Sequence, residues 1–131
     1  MLNTILIVDD SRLTRKMIRR QVDTLGPEAE EVLDADSGES ALRLFESQTI
    51  DLLLTDINMP GMDGFEFLTI LSRMPEAADT VKIVVSSIAN EAWAQRLDEL
   101  GVKAVLAKPF TPEQFTQALH QAGVLHGPRD E

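Results

Sequence analysis

The stretch ILIVDD, residues 5–10, shows the pattern that decides the fold: a short apolar run rich in β-branched residues, with acidic residues directly after it. Similar runs are DLLLTD at residues 51–56, VKIVVS at 81–86 and AVLA at 104–107. Short, nearly continuous apolar runs are typical of strands buried on both faces, as in a parallel sheet covered by helices. The chain is therefore predicted to have an α/β fold.

Amphipathic stretches of helical period separate the apolar runs and predict repeated βα units. The predicted strands are residues 5–8, 31–35, 51–56, 81–86 and 104–107, and the predicted helices lie near residues 12–25, 39–47, 64–74, 91–100 and 112–122. The last helix should begin with a capping box of Thr111 and Gln114, with Pro112 at its first position. We expect a three-layer (βα)₅ sandwich in one domain over residues 1–122, followed by a partly disordered tail over residues 123–131.

The composition bounds the class of protein. With 131 residues, 44% of them hydrophobic, the chain can build one core. It has no cysteine, which excludes disulfides, thiolate metal sites and cysteine nucleophiles. No apolar run is long enough to span a membrane and no secretory signal is recognisable, so a cytoplasmic location is expected. The formal charge of −10 argues against nucleic-acid binding and favours protein partners.

Polar side chains lie at, or directly after, the carboxyl ends of four of the predicted strands, where open parallel sheets bind ligands. They are Asp9 and Asp10, Asp56, Ser86, and Lys108. Two carboxylates about 4 Å apart repel each other by about 4 kcal/mol at an effective dielectric constant of about 20, so such a cluster needs a cation. Carboxylate oxygens without histidine or cysteine suit Mg²⁺.

Lys108 would add a positive charge beside the metal, and Ser86 would add a hydroxyl donor for an anion bound there. A metal, a lysine, a hydroxyl and a carboxylate nucleophile are the groups that phosphoryl transfer onto an aspartate requires. Each residue alone has a plainer reading. Asp10 or Ser11 could cap the first helix, Ser86 could end a strand, and Lys108 could lie on the surface.

Taken together, these residues resemble the signature of a response-regulator receiver domain. The match consists of Asp9-Asp10, Asp56 followed by INMPGMDG at residues 57–64, Ser86, and KPF at residues 108–110, and it covers residues 4–122. The resemblance implies a flavodoxin-like sandwich with strand order 2-1-3-4-5. It also implies Mg²⁺ as cofactor and a cis peptide bond between Lys108 and Pro109.

The resemblance further implies a role for each site residue. Asp56 would be the phosphoacceptor and, with Asp10, a direct Mg²⁺ ligand. Asp9 would act on the metal through water, and the backbone carbonyl of Asn58 would be a third protein ligand. Lys108 would pair with the phosphoryl group, and Ser86 would move toward it. None of these roles follows from composition or spacing alone.

The implied function is that of a stand-alone response regulator in a two-component phosphorelay. It would accept a phosphoryl group from a histidine kinase or a phosphotransfer protein, and would signal by phosphorylation-dependent protein binding or by passing the group on. It would not be an enzyme beyond its own phosphorylation and dephosphorylation. One alternative is an interaction module that is not phosphorylated. Another is a small Mg²⁺-dependent phosphatase of the haloacid-dehalogenase type, which needs a second acid two residues after its nucleophile, whereas Asp56 is followed there by Asn58.

The first predicted helix carries a basic stripe at helical spacing. Its members are Arg12, Arg15, Lys16, Arg19 and Arg20, and the opposite, apolar side is predicted to hold Leu13, Met17, Ile18, Val22 and Leu25. The basic stripe is either a solvated face or a docking surface for an acidic partner. The resemblance favours the second reading, because kinases and phosphotransfer proteins dock near this helix in the family.

Two positions depart from the usual receiver pattern. Val105 stands where most receivers carry an aromatic residue. Coupling between the phosphorylation site and the protein surface should therefore run through residues 86–90 and the start of the fourth helix. Ile88 is apolar at a position that lines the route of hydrolytic water, which predicts slow dephosphorylation. Trp93 is predicted to be partly core and is a candidate for the output surface, and His120 and His126 are predicted to be surface residues.

Overall fold

The computed structural model describes residues 2–87 and 91–125, except for the side chain of Glu91, and in it strands and helices alternate. The strands are β1 (Leu2–Val8), β2 (Ala29–Ala35), β3 (Leu52–Thr55), β4 (Val81–Ser86) and β5 (Val102–Ala107). The helices are α1 (Arg12–Leu25), α2 (Gly38–Ser47), α3 (Gly64–Leu71), α4 (Glu91–Glu99) and α5 (Pro112–Gln121), with a 3₁₀ turn at Pro75–Ala77.

The five strands form one parallel sheet in the order β2-β1-β3-β4-β5, as predicted. The order reverses between β1 and β3, which places a crevice at the carboxyl ends of these two strands. Val8 pairs with Ala35 on one side and with Thr55 on the other. Asp9 and Asp56 are the next residues on neighbouring strands, so the register itself brings them to one edge.

Successive residues of β1 feed two separate cores. Leu6 and Val8 pack beneath α2, α3 and α4, whereas Ile5 and Ile7 pack beneath α1 and α5. All four side chains are at most 1% exposed. The continuous apolar run in the sequence therefore corresponds to a strand that helices cover on both faces, which is the three-layer arrangement expected for a parallel sheet.

Most element boundaries agree with the predicted ones to within two residues, and the start of β1, at Leu2 and not at residue 5, and the end of α3 show the largest differences. The α3 helix ends at Leu71 and not near residue 74, and a 3₁₀ turn begins at Pro75. The residue before a proline is driven toward extended backbone, and Met74 has φ −97° and ψ 119°. The predicted capping box of α5 is present, with reciprocal hydrogen bonds between Thr111 and Gln114.

The prediction for the apolar side of α1 was partly wrong. Ile18 and Val22 are buried, but Leu13 is 79% exposed and Met17 is 43% exposed. The stripe that faces the core passes through positions 18, 22 and 25 at the helical period, which leaves position 17 at its margin and position 13 well outside it. The outer surface of α1 is therefore both basic and apolar.

Two smaller predictions concern aromatic and histidine side chains. Trp93 is partly buried, and its ring meets the edge of Phe65 at a centroid distance of 5.2 Å, as expected for a residue that is partly core. His120 is half-buried and not fully on the surface, and its Nδ1 lies 3.1 Å from the carbonyl oxygen of Leu125. His126 lies outside the described residues. Within the described part of the chain, no helix has the length and apolar character needed to cross a membrane.

Candidate metal and phosphoryl-acceptor site

Three strand ends bring Asp9, Asp56 and Lys108 into direct contact. The Lys108 Nζ donates to Oδ2 of Asp9 at 3.0 Å and to Oδ2 of Asp56 at 3.1 Å. The lysine side chain is 15% exposed and the two carboxylates are less exposed still. Lys108 is thus held between the two acids and does not extend into solvent.

The turn after β1 sets the geometry of the two adjacent aspartates. Asp9 is buried, and its Oδ1 accepts a hydrogen bond from the backbone N–H of Ser11 at 2.8 Å. Ser11, in turn, is the N-cap of α1, because its side chain accepts from the N–H of Thr14 at 3.2 Å. The capping role therefore falls to Ser11, and Asp10 lies exposed beside the crevice.

The loop after β3 holds Asp56 in a similar way. Asp56 is 5% exposed, and its Oδ1 accepts from the N–H of Ile57 at 2.6 Å and of Asn58 at 3.2 Å. The hydroxyl of Thr55 donates to its backbone carbonyl at 3.0 Å. One carboxylate oxygen is thus fixed by the backbone of the loop, while the other faces the Lys108 ammonium.

Gly64 closes this loop against the start of α3. Its N–H donates to the carbonyl of Ile57 at 2.8 Å, and a Cβ at this position would lie 2.6 Å from the carbonyl oxygen of Asp56. The carbonyl groups of Ile57 and Asp56 both belong to the backbone, so neither can move aside at low free-energy cost. The glycine permits the close approach that joins the Asp56 loop to α3.

Ser86 and Lys108 are linked through the backbone. Ser86 is 1% exposed at the end of β4, and its carbonyl accepts from the N–H of Lys108 at 2.8 Å. The peptide bond between Lys108 and Pro109 is cis, as the resemblance implied. The fourth and fifth strands therefore deliver their polar residues to the same edge as the aspartates.

Burial and charge pull in opposite directions at this site. Burial raises the pKa of Asp9, even though the Ser11 amide and the Lys108 ammonium favour its ionised form. Burial alone would lower the pKa of Lys108, but its hydrogen bonds to Asp9 and Asp56 and their charges outweigh this, and its pKa is raised. The lysine is therefore charged at neutral pH and compensates part of the carboxylate charge.

The donor set fits a hard divalent cation. Carboxylate oxygens of Asp9, Asp10 and Asp56 lie within 4.8 Å of one another, and the group contains neither histidine nor cysteine. Such all-oxygen sets suit Mg²⁺, which takes few protein ligands and keeps several waters. One lysine offsets only part of the charge of three acids, which leaves room for a cation.

The sequence matches the response regulator receiver domain family over residues 5–120. Among curated proteins, it is 33% identical to a probable chemotaxis protein CheY of Rhizobium etli, over 88% of each chain. It is 38% identical to the cyclic di-GMP phosphodiesterase response regulator RpfG of Xanthomonas campestris over 85% of this chain, but it spans only 29% of that protein. Among solved structures, chemotaxis protein CheY4 of Vibrio cholerae superposes with a TM-score of 0.82 at 29% identity, covering 95% of this chain and 100% of that chain.

The chain belongs to the response regulator receiver domain family. It is a phosphorylatable signalling domain of the two-component type, and such domains are generally regarded as non-catalytic modules. The family implies histidine kinases or phosphotransfer proteins as partners. Receiver domains bind Mg²⁺ through acidic residues, and the aspartate cluster could hold that ion. The phosphatase alternative is not favoured by these findings.

Two residues make contacts near the site that the sequence did not predict. Thr55, whose hydroxyl contacts the backbone of Asp56, belongs to an apolar run and gives no separate signal. Arg15 was assigned to the outward basic stripe of α1, but its side chain is 14% exposed and pairs with Asp34 of β2. No spacing rule could have predicted that contact, because it depends on how α1 packs beside the neighbouring strand. The loop residues 88–90, including Ile88, lie outside the described residues.

Proposed function

We propose that this chain accepts a phosphoryl group on Asp56 in a Mg²⁺-dependent reaction, within a receiver domain over residues 1–122. The observation that carries the proposal is the position of Lys108, whose ammonium bridges Asp9 and Asp56 among three clustered carboxylates. The Lys108 ammonium thus lies beside the proposed acceptor, where it can pair with an incoming phosphoryl group.

In the proposed reaction, a carboxylate oxygen of Asp56 attacks the phosphorus of the donor. An O–P bond forms while the bond from phosphorus to a histidine nitrogen of the donor breaks. Asp10, Asp56 and the backbone carbonyl of Asn58 would hold Mg²⁺, with Asp9 acting through water. The bound ion would neutralise charge on the transferring group. Lys108 would pair with the phosphoryl oxygens, and the Ser86 hydroxyl would donate to one of them.

The cognate donor would be a histidine kinase or a histidine phosphotransfer protein. We propose that it docks on the outer surface of α1, where Arg12, Lys16, Arg19 and Arg20 are exposed and Leu13 and Met17 add apolar area. Five of the chain's 12 basic residues lie on this helix. Such a local concentration on a chain of charge −10 favours an acidic partner surface. The output would be phosphorylation-dependent protein binding or onward phosphotransfer, in the cytoplasm.

Intact-mass measurement after incubation with acetyl phosphate and Mg²⁺ tests the acceptor. Wild-type protein should gain one phosphoryl group per chain, and Asp56→Asn or removal of Mg²⁺ should abolish the gain. Asp79→Asn changes an exposed acid away from the site and should label normally. Labelling of Asp56→Asn at the wild-type level would refute the assignment. Continuous turnover of a phosphomonoester, without a stable label, would instead support the phosphatase alternative.

A further inference from the structure

Arg15 differs from the other basic residues of α1 in what it contacts. Its Nη1 donates to the backbone carbonyl of Asp9 at 2.7 Å, and its Nε donates to Oδ2 of Asp34 at 2.7 Å. Its side chain is 14% exposed, whereas Arg12, Lys16 and Arg19 are exposed. Both bonds are short and charge-assisted, so they belong to the stronger class of hydrogen bonds in proteins.

The contact with the Asp9 carbonyl acts directly on the aspartate pair. A peptide unit is planar, so the plane that contains the Asp9 carbonyl also contains the nitrogen and Cα of Asp10. Holding that oxygen therefore restrains the peptide plane to which the Cα of Asp10 belongs. The Asp9 carboxylate is already held at Oδ1 by Ser11 and at Oδ2 by Lys108. With Arg15, every oxygen of Asp9 has a donor.

Asp34 supplies the second half of the arrangement. It lies on β2, where its neighbour Ala35 pairs with Val8, the last residue of β1. Its carboxylate engages the Nε of Arg15 and thereby orients the guanidinium so that Nη1 faces the Asp9 carbonyl. Asp34 itself is 49% exposed, so the ion pair adds little stability on its own and its effect is on orientation.

We propose that Arg15, oriented by Asp34, is a positioning residue that fixes the Asp9–Asp10 peptide for metal binding. The inference rests on the proposed function, because it concerns the same acidic site. It differs from a general electrostatic effect in one respect. A lysine at position 15 would keep the positive charge but could not present two donors in a rigid planar fork, so it should not replace arginine.

Mg²⁺ titration followed by the backbone amide NMR shifts of residues 9–11 tests the proposal. Arg15→Gln should weaken Mg²⁺ affinity about tenfold, the lower end of what the loss of an outer contact costs a metal site. Arg15→Lys should be weakened nearly as much. Arg43→Gln removes an exposed arginine of α2 that lies outside both the acidic site and the basic surface of α1, and it should bind Mg²⁺ as the wild type does. Wild-type affinity in Arg15→Gln, or full rescue by Arg15→Lys, would overturn the proposal.

Asp34→Asn provides a second variant that leaves the arginine in place. It should weaken Mg²⁺ binding by a smaller factor, about two- to threefold, and should add nothing in the Arg15→Gln background, because both act through one contact. Additive effects of the two changes would contradict the linkage. Intact-mass labelling of the same samples separates this test from that of the proposed function: wild-type protein that binds Mg²⁺ but takes up no phosphoryl group would refute the function and leave the affinity comparison to decide on Arg15.

Discussion

At the scale of single residues, the site depends on close backbone approaches as well as on charge. Gly64 carries the clearest consequence, because a methyl group there would lie 2.6 Å from the Asp56 carbonyl oxygen and 2.5 Å from the Cα of Ile57. Gly64→Ala should lower the free energy of unfolding by about 2 kcal/mol, as overpacking does elsewhere, and should displace the Asp56 loop. Urea denaturation and the labelling assay measure the two effects.

Gly38 is the matched control for Gly64, because it also stands at the first position of a helix. A methyl group at Gly38 would meet mainly the side chain of Met62, with its Sδ at 2.9 Å, and a methionine side chain can turn aside. We therefore expect Gly38→Ala to cost clearly less stability. Equal losses for the two variants would show that the contact with the Asp56 backbone is not what makes Gly64 necessary.

Lys82 is a buried cation near the start of β4, at the opposite end of the strand from the acidic edge. It is 7% exposed, and among the described residues its Nζ donates to the carbonyl of Thr80, at 3.4 Å. Burial, with a smaller contribution from the charge of Lys103, lowers its pKa from the usual 10.5. The charged form is therefore less favourable in the folded state than in the unfolded state.

The sign of the pH dependence follows from that lowered pKa. Below the folded-state pKa, Lys82 is protonated in both states and its full penalty is present; the penalty is relieved as the pH rises from the folded-state pKa to the unfolded value. Lys82→Met should raise the free energy of unfolding at neutral pH by about 1 kcal/mol and flatten the rise at alkaline pH. Urea denaturation across this pH range measures both. Exposed Lys103→Met should leave most of the rise in place.

At the scale of secondary-structure elements, the inner and outer sides of α1 make different contacts. Its inner side buries Ile18 and Val22, while Arg15 is drawn from the basic stripe to the turn after β1. The remaining outer surface combines four exposed basic residues with Leu13 and Met17. A basic surface with protruding apolar side chains suits an acidic helical partner.

Charge reversal on α1 should weaken docking of the donor protein and leave the phosphorylation chemistry at Asp56 unchanged. Lys16→Glu with Arg20→Glu should slow phosphotransfer from the cognate kinase at least tenfold, because like charges then face each other at the interface. Labelling by acetyl phosphate should stay at the wild-type rate. Arg43→Glu with Arg73→Glu makes the same change in net charge on other exposed positions and should leave both rates nearly unchanged. Equal slowing in both pairs would indicate a net-charge effect.

The α4 helix is held differently from the other helices. Leu97 is its one fully buried side chain among those the structure describes in this helix, and Arg96 lies 4.0 Å from the ring centroid of Phe65, which also meets Trp93. Few buried contacts are typical of elements that shift at low free-energy cost. Val105 is 45% exposed and has no ring that could turn inward. Coupling of the acidic site to the surface through α4 stays a prediction, and part of the proposed route lies in residues 88–90, outside the described region.

At the scale of the whole molecule, metal binding should appear as stability. A ligand that binds only the native state raises the free energy of unfolding by about 1.4 kcal/mol at ten times its dissociation constant. Mg²⁺ should produce this rise in wild-type protein, and Asp10→Asn should remove most of it, whereas Asp79→Asn should keep it. Urea denaturation with and without Mg²⁺ measures the difference. An equal rise with sodium chloride at the same ionic strength would point to screening and not to a site.

The sequence by itself determined the class of fold and most of the acidic edge. Short apolar runs rich in β-branched residues that alternate with helical patterns favour a parallel sheet covered by helices, and parallel strands bring Asp9, Asp56 and Lys108 to the same end. These conclusions need only periodicity and chain direction, which are local properties. The ends of β4 and α1 also agree with the predicted limits, because strand and cap signals are local as well.

Only the tertiary structure decided which neighbours the site residues have. That Arg15 turns to the Asp9 carbonyl, that Leu13 and Met17 face outward, and that Gly64 touches the Asp56 backbone all depend on how separate elements pack. A helix side can be assigned from its period to within about one residue's rotation, roughly 100°. Contacts between atoms a few ångströms apart need a finer orientation than that, and packing against the sheet supplies it.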